Sequence, residues 1–427
     1  MKNPATSPHQ EFGGKRSMLT GNSAIAYGAA LSRPKVIPAY PITPQTEIIE
    51  SLSEFVAEGL LDTRFMLMES EHSVLSAAIT AEQTGARTFT ATSSQGLLLM
   101  HEMLYIASGT RCPIVMANVS RGLSAPITLG ADENDILGQR DAGWIQLHCE
   151  TCQEALDSVI MAYKISENKN VLLPSMVNID GFILSFTREP VDVPSQRKVD
   201  DFLPEYSPET MKYDANVPIS QGVATIDGIS YSYFRMQHHL AAMNAVRIVE
   251  KVQKEFNDAF GRNYASVEQF MMEDADYALM TSNAITTVAK SAVRRARARG
   301  EKVGLLRIRL FRPFPTEDII NACKGLKGVA VLDRNISPGA GGIMLPEIRS
   351  ALYDLKEKSR PIVCGFIDGL GGKDVTLDEF DYMISRTKKA ASDGVGVSEI
   401  ISTKKQDDRA RMMLSEARGI RKTKEED

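Results

Sequence analysis

The stretch from Val36 to Glu71, VIPAYPITPQTEIIESLSEFVAEGLLDTRFMLMESE, decides the fold class of this 427-residue chain. It begins with an apolar run at Val36–Ala39, continues with a helical pattern over Thr46–Ala57, and returns to an apolar run at Arg64–Met68. A second helical pattern then begins at Glu71. This alternation of strand-type and helix-type patterns predicts parallel strands joined by right-handed helical crossovers.

The alternation continues as far as residue 190, so we expect a first α/β domain over residues 19–190. Its further helices are predicted at Glu71–Thr84, which Gly85 ends, at Gly96–Ser108, which precedes Gly109, and at Cys152–Glu167. Its further strands are predicted at Thr88–Thr92, at Pro113–Val119 and within the apolar run Asn170–Ile179.

A second α/β domain is predicted over residues 266–400, after a connector at 191–265. The connector begins with proline and turn residues and contains one long predicted helix at Gln237–Phe256. In the second domain we predict strands near Ala275–Asn283 and at Val303–Leu310, Gly328–Asp333 and Pro361–Phe366, with a helix at Ile285–Arg299.

The two ends of the chain have a different composition from the domains. Residues 1–18 are mostly polar and are expected to form a flexible arm. In the last 25 residues 14 are charged, so residues 401–427 are predicted to be a solvated helix or a loose tail.

The overall composition excludes several classes of protein. With 49 Lys and Arg against 54 Asp and Glu, the net charge is −5, which argues against nucleic acid as a partner. Five cysteines form neither an even disulfide framework nor a clustered quartet, which favours a reducing compartment. The first residues contain no signal-peptide-like apolar region, and no window approaches the roughly 20 apolar residues that span a bilayer. We therefore expect a cytoplasmic protein without a membrane partner.

Polar residues follow each of the first four predicted strands. Ligands of open parallel sheets bind at the carboxyl ends of the strands, so a functional site is expected there. The segments in question are Tyr40–Pro44, Glu69–His72, Ser93–Gly96 and Ser120–Ser124. Together they offer a carboxylate, a guanidinium, hydroxyls and an amide to one crevice.

These segments, in this order, resemble the α subunit of the 2-oxoacid:ferredoxin oxidoreductases, the thiamine diphosphate enzymes that include the pyruvate enzyme. The resemblance covers roughly residues 17–400. The matching blocks are YPITP at 40–44, SE at 70–71, TSSQGLLLM at 92–100, SRGLSAP at 120–126, GWIQL at 143–147, VNIDGFILS at 177–185, GLLRIRLFRPFP at 304–315, VLDRNIS at 331–337 and GLGGKDVT at 369–376. It implies two doubly wound α/β domains, a thiamine-diphosphate-binding pyrimidine domain followed by a transketolase C-terminal-like domain.

Glu71 is the candidate catalytic residue. From the residues alone, a glutamate after a serine at a helix start is more simply explained as a charge that complements the helix macrodipole. The resemblance instead implies that Glu71 hydrogen-bonds to the aminopyrimidine ring of thiamine diphosphate, which favours the tautomer that removes the C2 proton.

Arg121 follows a predicted strand of apolar residues, and its planar guanidinium could hold the carboxylate of a 2-oxoacid there. The common alternative is an arginine that only faces solvent. The resemblance places Arg121 and Thr43 against the substrate. It also implies that four further residues contribute to cofactor binding, namely Pro41, Ile42, Ser94 and Gln95.

Two absent motifs predict partner subunits. The chain has no GDG motif for a diphosphate–Mg²⁺ site, so thiamine diphosphate is expected to be shared with a β subunit, and we predict no metal ligands here. It also lacks the four-cysteine runs that hold [4Fe–4S] clusters, so electrons are expected to leave through a ferredoxin-like subunit of a complex that also contains a γ subunit. Ferredoxin, or NAD through a further subunit, is the expected final acceptor.

The predicted reaction converts a 2-oxoacid and coenzyme A into acyl-CoA, CO₂ and two low-potential electrons. A transketolase-like transferase and a noncatalytic scaffold subunit remain as alternatives. In pyruvate enzymes the loop after the SAP triplet carries Trp and His where this chain has Gly130 and Glu133. The loss of an indole would widen a substrate pocket and favour a bulkier 2-oxoacid such as phenylglyoxylate, unless the loop faces a neighbouring subunit.

Two further clusters have weaker claims to function. Cys149 and Cys152 form a CxxC pair beside His148, but no second pair completes a zinc or iron–sulfur set, so we interpret them as structural. The arginines of Arg294–Arg299 end a predicted helix before Gly300 and are expected to complement its dipole and face solvent.

Overall fold

The computed structural model describes residues 12–208 and 212–417 and contains two mainly parallel β-sheets with helices on their faces. The elements of the first part of the chain are β1 Lys15–Thr20, α1 Gly21–Leu31, β2 Val36–Ala39, α2 Thr46–Ala57, β3 Arg64–Leu67, α3 Glu71–Gln83, β4 Phe89–Thr92, α4 Ser94–Leu99, α5 His101–Gly109, β5 Val115–Ser120, α6 Asn134–Leu137, β6 Ile145–His148, α7 Cys152–Ser166 and β7 Ser175–Asp180. The elements that follow them are β8 Arg188–Val193, α8 Gln196–Phe202 and α9 Gly228–Phe260.

The second part of the chain alternates in the same way. Its elements are β9 Val267–Phe270, β10 Tyr277–Thr281, α10 Ile285–Ala298, β11 Val303–Ile308, β12 Leu310–Arg312, α11 Thr316–Cys323, β13 Gly328–Asp333, α12 Met344–Leu352, β14 Ile362–Ile367, α13 Leu377–Asp393, β15 Ser398–Ile400 and α14 Lys404–Ala417. Short 3₁₀ turns lie at Glu357–Ser359 and Leu370–Gly372.

The first sheet has the strand order β12-β6-β7-β5-β4, and a parallel bridge between Val36 and Thr88 extends it to β2 and β3. All its pairings are parallel except that of β12 with β6. Every residue of β4, β5, β6 and β7 is buried, as expected for parallel strands covered on both faces. The carboxyl ends of β2, β3, β4 and β5 therefore lie along one edge, which is where the candidate residues lie.

The second sheet has the order β15-β14-β13-β10-β11-β9, with only β9 antiparallel to its neighbour. Helices α10 and α13 pack together over it, and their apolar residues surround Phe366 and Phe380 in the core. Strand β12 follows β11 directly in the chain but pairs with β6 of the first sheet. One strand from the second part of the chain thus completes the edge of the first sheet.

Several predicted elements differ from those observed. Val36–Ala39 and Thr46–Ala57 have the predicted bounds, but the helix predicted at Gly96–Ser108 is divided into α4 and α5 at Met100. The strand predicted within Asn170–Ile179 begins only at Ser175. The long helix α9 is longer than predicted at both ends. It begins at Gly228, because the side chain of Asp227 caps it there.

The predicted N-terminal arm is corrected over residues 15–18, which begin strand β1. This strand pairs antiparallel with β8, placing Lys15 opposite Val193 and Thr20 opposite Arg188. Residues 1–11 of the predicted arm lie outside the described residues. The predicted tail contains helix α14, and its residues 418–427 also lie outside the described part of the chain.

Buried ion pairs join the two parts of the chain. Glu154 on α7 accepts hydrogen bonds from Arg307 at 2.9 Å and from Arg309 at 2.6 Å, and Asp180 pairs with Arg334 at 2.9 Å. Removing one partner of a buried pair leaves an uncompensated charge, which typically costs about 3–5 kcal/mol. These contacts fix the two sheets relative to each other.

The structure gives structural explanations for the two weaker clusters. Cys149 and Cys152 are buried free thiols, and burial raises the pKa of the Cys149 thiol to about 12. Arg295 pairs with Asp378 and Asp381 on α13, and the other ion-paired arginines of this cluster are Arg297 and Arg299.

Candidate cofactor and substrate site

Glu71 is the first residue of α3, directly after the loop that follows β3. Ser70 caps the helix, since its Oγ accepts a hydrogen bond from the backbone nitrogen of Ser73 at 3.3 Å. The Glu71 side chain is 6% exposed, and no donor among the described residues hydrogen-bonds to its carboxylate. The carboxylate therefore remains available to a donor on a ligand.

Gly96 lies directly against this carboxylate. A methyl group at Gly96 would lie 2.5 Å from Oε1 of Glu71 and 2.6 Å from Oγ1 of Thr92, so any larger residue here would displace these two groups. The Thr92 hydroxyl is buried and has no hydrogen-bond partner in the part of the chain that the structure describes. Buried polar groups are nearly always hydrogen-bonded, so the Thr92 hydroxyl fits a polar ligand, and the Glu71 carboxylate beside it can bind the same ligand, such as an aminopyrimidine ring.

Arg121 joins two of the strand-end loops. Its Nη1 donates a hydrogen bond to the backbone oxygen of Thr43 at 2.7 Å, and its Nη2 donates to Oε1 of Gln95 at 2.6 Å. The residue is 7% exposed, and its Nε has no partner within the described residues. Burial lowers the pKa of the guanidinium from its ordinary value, and the charge of Asp135 opposes this shift.

Ser94 and Gln95 form the next part of the same cluster. The Ser94 hydroxyl lies 2.7 Å from Oε1 of Gln95 and 3.0 Å from the backbone oxygen of Gly122. Because Oε1 of Gln95 also accepts from Arg121, the amide nitrogen of Gln95 is the group directed elsewhere, and it is buried without a partner among the described residues. This nitrogen can donate to a ligand.

Asp135 holds the cluster together and was not among the residues expected from the sequence. Its Oδ2 accepts hydrogen bonds from the backbone nitrogens of Ser94 at 3.0 Å and Arg121 at 3.2 Å, while its Oδ1 accepts from Ser120 at 2.9 Å. Burial raises the pKa of Asp135 to about 6, although these hydrogen bonds oppose the shift. Its only signal in the sequence is an acidic residue directly before the apolar pair Ile136 and Leu137.

The YPITP segment lies at the edge of this cluster. Pro41 is exposed and Ile42 is half-buried, and the backbone oxygen of Ile42 accepts from the nitrogen of Gln45 at 2.9 Å. Thr43 reaches the cluster through its backbone oxygen, and its side chain is exposed. The structure thus brings Thr43 together with the other three hydrogen-bonded residues, which are Ser94, Gln95 and Arg121. Glu71 adjoins them through Gly96, whereas no described hydrogen bond links Pro41 or Ile42 to them.

The two positions that suggested a larger substrate face the second part of the chain. A methyl group at Gly130 would lie 2.1 Å from the backbone oxygen of Gly371. Glu133 is buried, and its carboxylate accepts a hydrogen bond from the Ser282 hydroxyl at 2.8–2.9 Å. The expectation that the small residue at 130 widens the substrate pocket is therefore wrong, because the loop that contains Gly371 occupies the space beside Gly130.

The described residues contain neither a cluster of metal ligands nor a helix that could span a membrane. No group of three or more His, Cys, Asp or Glu side chains there could hold a metal ion. Among the helices of the same residues, none is long and apolar enough to cross a membrane.

Two family models match the chain. Residues 27–255 match "Pyruvate flavodoxin/ferredoxin oxidoreductase, thiamine diP-bdg", which covers all strands of the first sheet except β12, and most of α9. Residues 275–380 match "Pyruvate:ferredoxin oxidoreductase core domain II". The chain belongs to the pyruvate:ferredoxin oxidoreductase family. Its members are oxidoreductases that act on 2-oxoacids in multi-subunit complexes, as the sequence predicted.

Relatives in this family are similar over nearly their whole length. The pyruvate synthase subunit PorA of Methanothermobacter thermautotrophicus is 46% identical over 371 residues, which is 87% of this chain and 95% of the relative. The ketoisovalerate oxidoreductase subunit VorA of Pyrococcus horikoshii is 43% identical over 385 residues, 90% of this chain and 96% of the relative. The pyruvate:ferredoxin oxidoreductase family thus includes similar chains named for different 2-oxoacids.

Solved structures confirm the predicted two-domain α/β fold. The 2-oxoglutarate:ferredoxin oxidoreductase from Magnetococcus marinus superposes with a TM-score of 0.66 at 20% identity, over 88% of this chain and 65% of that one. A split-gene transketolase superposes with a TM-score of 0.51 at 12% identity, over 87% of this chain and 99% of that one. At these identities the likeness concerns the fold alone.

Proposed function

We propose that this chain is the α subunit of a thiamine-diphosphate-dependent, CoA-acylating 2-oxoacid oxidoreductase. The complete complex would convert a 2-oxoacid and CoA into acyl-CoA and CO₂, with release of one proton and two electrons. The observation that carries the proposal is the carboxylate of Glu71, a residue only 6% exposed, which lies against Gly96 and has no hydrogen-bond donor among the described residues.

Glu71 is proposed to bind the pyrimidine ring of the cofactor. When bound, thiamine diphosphate supplies the nucleophilic carbon and the electron sink that decarboxylation requires. The Glu71 carboxylate would accept a hydrogen bond from a ring nitrogen and hold the proton there. The buried Thr92 hydroxyl and the amide nitrogen of Gln95 are further polar atoms without partners in the described structure, so they can bind the same ring. Ser94, by its bond to Gln95, keeps that amide in place.

Arg121 is proposed to bind the carboxylate of the 2-oxoacid. Its Nη1 and Nη2 atoms each keep a second hydrogen beyond those donated to Thr43 and Gln95, and Nε is unpaired within the described residues. A buried guanidinium with free N–H groups forms strong charge-assisted bonds to carboxylates. The exposed side chain of Thr43 lies in the loop after β2, whose backbone accepts a hydrogen bond from Arg121, and it would contact the substrate beside Arg121. Pro41 and Ile42 would line the approach of the cofactor.

The proposal requires partner subunits. A β subunit would supply the Mg²⁺–diphosphate site, and a ferredoxin-like subunit would carry the [4Fe–4S] clusters, in a complex completed by a γ subunit. Electrons would pass to ferredoxin, or to NAD through a further subunit. We propose that this complex works in the cytoplasm.

The substrate is proposed to be a small 2-oxoacid of the pyruvate or 2-oxoisovalerate type. Relatives named for pyruvate and ketoisovalerate support this choice. Phenylglyoxylate, the bulkier candidate, loses its structural support because Gly130 contacts Gly371 and opens no pocket.

The test is an assay of the intact complex, isolated through a tag on this chain. Reduction of a viologen dye is measured with pyruvate, 2-oxoisovalerate, 2-oxoglutarate and phenylglyoxylate, each with and without CoA and thiamine diphosphate. We expect CoA-dependent dye reduction with pyruvate or 2-oxoisovalerate. Ketol transfer between sugars without dye reduction would favour a transketolase-like transferase, and inactivity of a cofactor-loaded complex with every substrate would favour a scaffold.

A further inference from the structure

The loop that begins with Arg121 closes on itself. It joins β5 to α6 over residues 121–133, and we call it the Arg121 loop. The backbone nitrogen of Gly122 donates a hydrogen bond to the backbone oxygen of Gly130 at 3.0 Å. The residues between these two glycines are mostly exposed, whereas residues 131–133 are buried. The position of the residue directly after Arg121 therefore depends on the buried end of the loop.

The buried end of the Arg121 loop is held by the second part of the chain. The backbone oxygen of Ala131 accepts a hydrogen bond from the backbone nitrogen of Gly372 at 2.7 Å. Oδ2 of Asp132 accepts one from the backbone nitrogen of Gly371 at 3.3 Å. Gly371 and Gly372 lie in the turn after β14, so these two bonds come from the carboxyl end of a strand in the second sheet.

Two more strands of the second sheet hold the next residues in the same way. The backbone nitrogen of Glu133 donates to the backbone oxygen of Arg334, after β13, at 2.8 Å. The Glu133 carboxylate accepts from the hydroxyl of Ser282, after β10. The side-chain oxygen of Asn134 accepts from the backbone nitrogen of Ile336 at 2.9 Å. Loops after three strands of the second sheet thus contact successive residues at one end of the Arg121 loop.

Asp132 lies between these contacts and Arg121. A methyl group at Gly122 would lie 3.0 Å from Oδ2 of Asp132, the oxygen that also accepts from Gly371. The other oxygen, Oδ1, accepts from the backbone nitrogen of Asn134 at 3.1 Å. Asp132 is 5% exposed. One buried carboxylate therefore contacts both the turn at Gly371 and the residue directly after Arg121.

We propose that the second part of the chain positions Arg121 for the 2-oxoacid, through Asp132 and the turn at Gly371–Gly372. This inference rests on the proposed function of Arg121. Asp135 fixes the backbone nitrogen of Arg121 from the first part of the chain, and the contacts of the Arg121 loop fix the residue on its other side. A misplacement of about 1 Å at a group that holds a substrate can lower the rate by about 100-fold. Asp132 and Gly372 are thus positioning residues.

Gly372→Ala tests this contact from the second part of the chain. The added methyl group would lie 2.9 Å from the Cα of Gly130 and push the Arg121 loop away. Gly325→Ala is the matched control. Both glycines have a positive φ, +82° at Gly372 and +87° at Gly325, but no atom lies within 4 Å of a methyl group at Gly325.

The measurement is steady-state kinetics of the intact complex. Binding of the substrate carboxylate is made before the chemical step, so its weakening should raise the KM for the 2-oxoacid about tenfold or more in Gly372→Ala. We expect kcat, the KM for CoA and the content of thiamine diphosphate to change little. Gly325→Ala should match the wild type in all four quantities. A general loss of stability would instead lower the content of active complex and leave the KM unchanged.

Asp132 supplies a second, independent pair of variants. Asp132→Ala removes both acceptor oxygens and should raise the same KM, whereas Asp132→Asn keeps one oxygen and should restore part of the affinity. Asp132→Ala combined with Gly372→Ala should raise the KM little more than the larger single effect, because residues that share one contact do not act additively. Asp132→Asn replaces Gly372→Ala in every measurement if Gly372→Ala does not assemble.

Hydrogen exchange tests the contact without using the reaction. The amides of residues 122–133 should exchange at least tenfold faster in Gly372→Ala than in the wild type or in Gly325→Ala. Unchanged exchange overturns the inference, and so does faster exchange with an unchanged KM for the 2-oxoacid. A wild-type complex that acts on no 2-oxoacid would instead overturn the proposed function, so the two failures are distinguishable.

Discussion

The carboxylate of Asp135 accepts a hydrogen bond from the backbone nitrogen of Arg121 across 3.2 Å. The same oxygen accepts from the backbone nitrogen of Ser94, so one buried side chain fixes the ends of both β4 and β5. The guanidinium of Arg121 and the amide of Gln95 obtain their positions from these two loops. Asp135 is therefore a positioning residue, which acts through groups proposed to touch cofactor and substrate.

Asp135→Asn is expected to disturb this arrangement. An amide has one oxygen in place of two, so it leaves either the backbone N–H of Ile136 or those of Ser94 and Arg121 without an acceptor, at a cost of about 1–3 kcal/mol in stability. Urea unfolding measures this loss, and kcat/KM for the 2-oxoacid should fall with it. Asp141→Asn is the control, because Asp141 is exposed. Unchanged kcat/KM in Asp135→Asn would contradict the positioning role.

Glu71→Gln should assemble normally yet lose most turnover. The amide is neutral and cannot favour the reactive ring tautomer, so kcat should fall by roughly 100-fold or more. The measurement is 2-oxoacid-dependent dye reduction by the assembled complex. Glu69→Gln, two residues earlier and exposed, should remain active. Near-normal turnover by Glu71→Gln would remove the catalytic assignment.

Arg121→Met should weaken every 2-oxoacid alike. The substrate carboxylate loses a charged partner in a buried site, which typically costs roughly 2–5 kcal/mol, so kcat/KM should fall by about 30-fold or more. Steady-state kinetics with two 2-oxoacids measures this effect. Arg64→Met serves as the control, because Arg64 begins β3 and the candidate site lies at the other end of that strand. An effect confined to CoA would assign Arg121 to a CoA site.

Gly96→Ala should abolish cofactor binding while the fold is retained. Its methyl group would lie 2.5 Å from the Glu71 carboxylate and push this carboxylate out of its position. We expect the purified variant complex to contain at least tenfold less thiamine diphosphate than the wild type. Gly109→Ala is a matched control, because no atom lies within 4 Å of its added methyl group. Equal cofactor content in both variants would show that thiamine diphosphate does not bind beside Glu71 and Gly96.

The stability of the chain should depend on pH through Glu133. Burial raises the pKa of this carboxyl to about 7, above its ordinary value of 4.5. The folded state therefore keeps a proton that the unfolded state loses, and stability should decrease as the pH rises from about 4.5 to 7. Melting temperatures across this range should decrease less in Glu133→Gln. The same pH slope in wild type and variant would show that other groups control it.

The local patterns predicted the parallel architecture but not the long-range pairings. Helix Thr46–Ala57 and strand Val36–Ala39 are encoded by periodicity within a few residues, so their bounds agree with the structure. Strand β1 depends on β8, about 170 positions later, and the three residues of β12 depend on β6. A short segment that is ordered by a distant partner has no local pattern of its own.

In the candidate site, too, some residues could be predicted from the local sequence and others could not. The segments that contain Thr43 and Arg121 could be predicted because the carboxyl ends of parallel strands meet at one edge, and the resemblance to a known family then singled out these two residues. Asp135 could not, because it comes from a loop whose path is determined by tertiary contacts. Gly130 was misinterpreted for a related reason, since a sequence does not show that its neighbour is Gly371.

Strand β12 has a consequence for how the protein comes apart. Its residues Leu310–Arg312 belong to the second part of the chain, but they cover the edge of β6, and Glu154 holds Arg307 and Arg309 beside them. Neither part of the chain can therefore unfold alone, because its unfolding would remove the pairing of β12 with β6 and the buried ion pairs of Glu154. Calorimetry should therefore record a single heat-absorption peak. A fragment that ends before residue 275 would bare an unpaired edge strand, and such edges recruit other chains, so this fragment should precipitate.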